Sequence, residues 1–202
     1  MSIKKRFWTG LIIFMIGTFV FGCASKAKNL VKVPAADAPL QRVVAVLPLE
    51  NRTNDHAAAA LLRAKLIDEL YFKGYAKIDA DFIDHKLEEL DTSNGEKNIY
   101  QIQPQQLSEL LGADAVLYAT LQKSEKGNGF FSAPVEVSLS CELRRTDNGE
   151  TIWKNQQTAK RRNFALTRKG KEMKSCQAYE EILEEVVRKI MDTMPDGPNL
   201  RS

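Results

Sequence analysis

The hydrophobic pattern changes period several times along the chain, and each change marks an element. "RVVAVLPLEN" (42–51) is a continuous apolar run with β-branched residues, which predicts a strand covered on both faces. In "DHAAAALLRAKLIDELYFKG", Ala59, Leu62, Leu66 and Leu70 recur at helical spacing, Asn54 or Asp55 can cap the start, and Gly74 suits the position past the end. "YAKID" predicts a short second strand, and "DFIDHKLEEL" a helix with Ile83, Leu87 and Leu90 aligned. After the polar stretch 91–100, Pro104 opens the helix "PQQLSELLG", and "ADAVLYATLQ" (113–122) is a second buried-strand pattern.

From residue 135 the period is two. Val135, Val137, Leu139, Cys141 and Leu143 alternate with polar residues, as in a strand with one buried face. Asn148-Gly149 signals a tight hairpin turn, and "TIWKNQQTA" pairs back. A basic loop and a last helix (176–194) follow, with Tyr179, Leu183, Val186, Ile190 and Met194 on its apolar side. The expected fold is α/β: a single domain with a mixed, partly parallel sheet flanked by helices, in the order β-α-β-α-α-β-β-β-α. That domain spans 41–194, with a loose tail at 195–202.

The first 40 residues lack this patterning. "MSIKKR" is basic, "FWTGLIIFMIGTFVF" is an apolar run shorter than the roughly 20 residues of a membrane span, and small residues lead to Cys23. This is the layout of a secretory signal peptide over 1–22. Val20, Gly22 and Cys23 resemble the cleavage box of bacterial lipoproteins, with Phe21 bulkier than usual. That resemblance implies cleavage before Cys23, a diacylglycerol thioether on its sulfur, and an acyl chain such as palmitate on its new amine. Several chains make a firm membrane anchor. The alternative is an uncleaved amino-terminal helix. Ala24 is not the aspartate associated with inner-membrane retention, so the resemblance favours the outer membrane, periplasmic side. Residues 23–40, with Pro34 and Pro39, read as the lipidated cysteine and a tether.

Charge supports this division. The chain of 202 residues carries +3, and residues 1–22 hold Lys4, Lys5 and Arg6 without an acid. Without those three, the 29 basic residues become 26, equal to the 26 acidic ones. The remainder has no electrostatic footprint for nucleic acid.

"VVAVLPLENRTND" before a long helix resembles the envelope domains of the CsgG, TolB amino-terminal and LpoB proteins. "LSELLGADAVLYATL" followed by "DNGETIWKN" is similar to a narrower family of bacterial lipoproteins of unknown function. The resemblance covers roughly Arg42 to Trp153, and the closing helix by pattern only. It implies a non-catalytic role in assembling an envelope secretion or transport complex, often beside a CsgG-like lipoprotein, and no catalytic residues. Activation of peptidoglycan synthesis, as by LpoB, is the rival expectation.

Candidate chemistry is sparse. His56 and His85 have no partners at metal spacing, and there is no nucleophile elbow or phosphate loop. Paired glutamates such as Glu88-Glu89 fall on solvated helix faces, unlike a catalytic pair held in two different environments. The sequence therefore predicts no enzyme, no cofactor and no metal. Cys141 and Cys176 could form a disulfide or stay as two buried thiols. Three features could meet partners, a homo-oligomeric copy included. Glu50, Asn51 and Arg52 follow the carboxyl end of the first strand, where ligands of open α/β sheets gather. They also carry the less favoured expectation of a small ligand. Phe130 and Phe131 sit in a glycine-bearing loop, and Lys160, Arg161 and Arg162 begin a basic run suited to anionic lipid head groups.

Overall fold

A computed structural model of the chain describes residues 43–94, 99–126, 132–164 and 168–200. These lie in one compact unit. Strands β1 (Val44–Val46) and β2 (Glu50–Asn51) precede helices α1 (His56–Phe72), α2 (Ala80–Asn94) and α3 (Pro104–Leu111). Strands β3 (Ala115–Lys126), β4 (Ser132–Arg145) and β5 (Thr151–Phe164) then form a meander, and α4 (Arg168–Met191) closes the unit. β1 and β2 both run parallel to β3, while β3–β4 and β4–β5 are antiparallel. The sheet is thus mixed and partly parallel, and helices lie on both of its faces.

Strand parity sorts the core into two layers. Val44, Val46, Ala115, Leu117, Ala119, Leu121 and the odd-numbered β4 residues from Val135 to Leu143 pack with α1 and α4. Ala45, Leu47 and Val116 face the other way, onto Ile83 and Leu87 of α2 and Leu107 and Leu111 of α3. Only the parallel corner is covered on both sides. Over β4 and β5 the second face carries Glu136, Ser138, Glu142, Lys154 and Lys160, which is why their sequence alternates.

Four details differ from the sequence expectation. "YAKID" contributes a single parallel bridge, Val43 with Ala76, rather than a strand. The hairpin after β4 spans five residues, not a tight two-residue turn. Gly149 takes φ 74° there, and the Thr146 hydroxyl and amide bond to the carbonyls of Ala113 and Asp114. Lys160, Arg161 and Arg162 belong to β5 rather than a loop, and α4 begins at Arg168.

The fourth concerns the tail, which is tied down. Gly197 N–H donates to the Lys73 carbonyl at 2.7 Å, Tyr75 Oη donates to the Pro195 carbonyl, and Lys73 Nζ reaches Asp196. A side chain at Gly197 would place its Cβ 2.6 Å from the Gly74 carbonyl, so the contact requires glycine.

Candidate functional site

The first strand is broken, and the break builds the site. Val46 pairs with Leu117 but Glu50 pairs with Thr120, so the broken strand uses four steps where β3 uses three. The extra residue lies within Leu47–Pro48–Leu49, where Pro48 cannot donate to a ladder. One residue of slip reverses which face each following side chain takes. Glu50 therefore turns to the open face and Asn51 toward α1.

The carbonyls freed by the break are met by side chains from other elements. Arg63 of α1 is buried and donates from Nε and Nη2 to the Val46 carbonyl at 3.2 and 3.1 Å. Its Nη1 holds Asp84 of α2 at 2.7 Å. Tyr100 Oη donates to the Pro48 carbonyl at 2.7 Å. Burial, together with the Glu50 charge, pushes the Tyr100 phenol well above its ordinary range, so it stays a donor.

Beyond the break, the chain passes through a series of short polar links into α1. Asn51 Oδ1 accepts from Thr53 N–H and hydroxyl, and the Thr53 hydroxyl accepts from Asp55 N–H. Asp55 Oδ1 caps α1 by accepting from Ala58 N–H at 3.0 Å. Its other oxygen accepts from the Ser124 hydroxyl of β3 and the Tyr179 hydroxyl of α4, with Lys126 Nζ 3.5 Å away. Lys126 also lies 3.7 Å from the centroid of the Tyr179 ring. Burial opposes ionisation of Asp55, but the bonds from Tyr179, Ala58 and Ser124 and the Lys126 charge together outweigh it and lower its pKa. Burial and the bond to Asp55 raise the Tyr179 phenol above its ordinary range. Glu50 is held by Arg52, at 3.1 and 3.3 Å, and accepts from Thr120; the Arg52 bonds lower its pKa.

Glu50, Asn51 and Arg52 therefore lie together at the carboxyl ends of β1 and β2. Arg63, Tyr100, Ser124 and Tyr179 complete the site, although their sequence surroundings do not single them out. The basic run is divided. Arg161 is ion-paired with Glu181 of α4, Lys160 pairs with Glu136 at 3.0 Å, and Arg162 is exposed. Cys141 is a free, buried thiol whose pKa burial pushes up to about 12. Cys23, Phe130 and Phe131 lie outside the described residues, as does the side chain of Cys176 and with it the proposed disulfide.

Elsewhere the chemistry is polar and internally paired. On the open face, burial opposes ionisation of Glu142, but hydrogen bonds from Arg144, Lys154 and Thr151 bring its pKa down to about 2. A groove of about 520 Å³ between α1 and α4 is bridged by Lys65 to Glu184 and Arg161 to Glu181. It lacks the apolar lining of a small-molecule pocket. His56 is exposed and His85 sits 3.3 Å from Glu89. Among the described residues no group of three or more His, Cys, Asp or Glu could hold a metal, and no helix is long and apolar enough to cross a membrane.

The profile of the GNA1162-like lipoproteins matches residues 36–199, most of the chain. The chain belongs to this family. By sequence, no curated protein matches it. Among solved structures it is similar to lipoprotein GNA1162 from Neisseria meningitidis, at 22% identity and TM-score 0.53, over 72% of this chain and 99% of that one. It is also similar to PelC from Paraburkholderia phytofirmans, a dodecamer, at 16% identity and TM-score 0.50, over 80% and 94%. For the C-terminal domain of LpoB from Escherichia coli the TM-score is 0.41 at 21% identity, over 63% and 90%, too loose to assign a shared role. At these identities the likeness is one of fold. The family is one of lipoproteins, proteins held in the cell envelope by lipid, and its match begins at residue 36, beyond the lipoprotein-like box at Cys23.

Proposed function

We propose that this lipoprotein is a non-catalytic interaction component of an envelope assembly, anchored through Cys23 to the outer membrane and facing the periplasm. The observation that carries this reading is the state of the carboxylates at the carboxyl ends of the parallel strands. Asp55 is engaged by four donors or charges and Glu50 by Arg52 and Thr120, so neither is left as an acid or base for a substrate. What the corner presents outward is a shaped, charged surface around Glu50 and Arg52. Self-assembly fits the same reading, since the like-folded PelC is a dodecamer.

Cross-linking in intact envelopes, followed by recovery of the protein, tests the role. Channel or secretion components among the captured proteins, lost with Glu50→Ala/Arg52→Ala, support it. A peptidoglycan synthase as the main capture would instead favour the activator reading. Cys23→Ser should abolish acylation and membrane retention, density-gradient fractionation should place the native protein with outer membrane, and light scattering of the purified protein gives its assembly state. A ligand found by thermal-shift screening, with binding lost in Asn51→Ala, would refute the non-catalytic docking role in favour of a small-molecule site.

A further inference from the structure

The apolar residues left in solvent are not spread evenly. Phe72 is 70% exposed, Tyr71 60% and Leu200 53%, more than any other large apolar side chain among the described residues. All three gather at one pole. Tyr71 and Phe72 end α1 and meet edge to face with ring centroids 5.9 Å apart. Leu200 is brought there by the tail, lying so close over Gly74 that a Cβ at residue 74 would be 2.8 Å from its Cγ. The flanking cations are neutralised, Lys73 by Asp196 and Lys77 by Asp68, each at 2.9 Å.

The same pole receives the chain from the anchor. Val43 pairs with Ala76, four residues beyond Phe72, and is fixed by its N–H to Asp114 and its carbonyl from Asp114 and Ala115. Cys23 is twenty residues earlier, which limits the distance between bilayer and Val43 to about 70 Å. Of the poles the domain can present, this one reaches the lipid with the least chain. The Glu50–Arg52 corner lies at the other end of α1, which at 17 residues is about 25 Å long.

We propose that Tyr71, Phe72 and Leu200 form a membrane-resting surface that seats this pole in the head-group region of the bilayer holding the anchor. The proposal rests on the lipid-anchor reading. Tyrosine and phenylalanine at a helix end suit that layer, where a ring can be buried while a hydroxyl stays wet. With the neighbouring charges paired, contact depends on apolar insertion and is insensitive to salt. Seating this pole turns the Glu50–Arg52 corner away from the lipid and toward soluble partners.

The test uses the acylated protein in vesicles of phosphatidylethanolamine and phosphatidylglycerol with brominated acyl chains. Trp153→Phe removes the tryptophan of the domain, and Phe72→Trp or Leu61→Trp, on the same helix, supplies a reporter. The tryptophan at position 72 should shift to the blue on reconstitution and be quenched several-fold more than that at position 61, equally at low and high salt. An acylated protein that floats with the vesicles but whose position 72 is unquenched overturns the proposal alone. Shielding of position 72 without lipid quenching also overturns it, and points to a second copy or a protein partner as the cover. A protein that carries no acyl chain and does not float overturns the anchor reading together with this one.

Discussion

Asp55 ties three elements together, and replacing it tests whether the corner is a structural joint. Asp55→Ala removes the cap of α1, worth about 1 kcal/mol. It also removes a charged acceptor for two hydroxyls, worth about 1.5–3 kcal/mol in total, because Ser124 and Tyr179, 2.7 Å apart, are then free to bond each other. A loss of about 2.5–4 kcal/mol is expected in urea unfolding at pH 7. Asp55→Asn keeps an oxygen for Ala58 N–H but no charge, and should lose about 1–2 kcal/mol. The two variants differ in pH response. The folded-state pKa of Asp55 is lowered, so its ionisation stabilises the fold fully above the unfolded value near 3.9. That stabilisation is lost as pH falls through the lower folded value. The gap between wild type and Asp55→Asn should hold steady from neutral pH down to about 5 and close below about 4. A gap that persists unchanged in acid, or an alanine variant that loses no more than a cap, refutes the joint as drawn.

Three further outcomes follow from the same packing. Arg63→Met leaves the Val46 carbonyl without its donors and should cost about 2–3 kcal/mol, whereas Asp84→Asn, at the more exposed end of the pair, should cost under about 1; thermal unfolding compares them. Gly197→Ala drives a Cβ into backbone at Gly74, so hydrogen exchange at Gly197 and Asn199 should rise, with about 1–3 kcal/mol lost; unchanged protection would mean the tail contact is not tight. Cys141 should resist iodoacetamide at pH 8 in the folded protein and react once urea unfolds it, since both burial and its raised pKa withhold the thiolate; rapid native labelling would contradict its placement.

Much of the fold is legible in the sequence because each layer of core leaves its own period. The 135–143 alternation, the helical stripes through Leu66, Ile83 and Leu183, and the apolar run 113–122 each record which faces are covered. The break after Val46 did have a signal, Pro48 inside a strand-like run, yet nothing local says that one extra residue is absorbed there. Arg63 and Tyr179 escape notice for a different reason. Each looks like an ordinary member of its helix, and what matters is a carbonyl 17 residues away and a carboxylate 124 residues away. Lys160 and Arg161 mislead because they lie on opposite faces of β5 and are spent on Glu136 and Glu181, which sequence distance conceals.

The tail contact also bears on how the chain comes to be folded. Lys73, Gly74 and Tyr75 are held by residues 194–200, 120 or more positions later. A chain made from its amino terminus cannot close the end of α1 until residues 194–200 have emerged. Until then the pole where residue 43 joins the domain stays open, so that joint sets only after the strands and helices between it and residue 194 have been made.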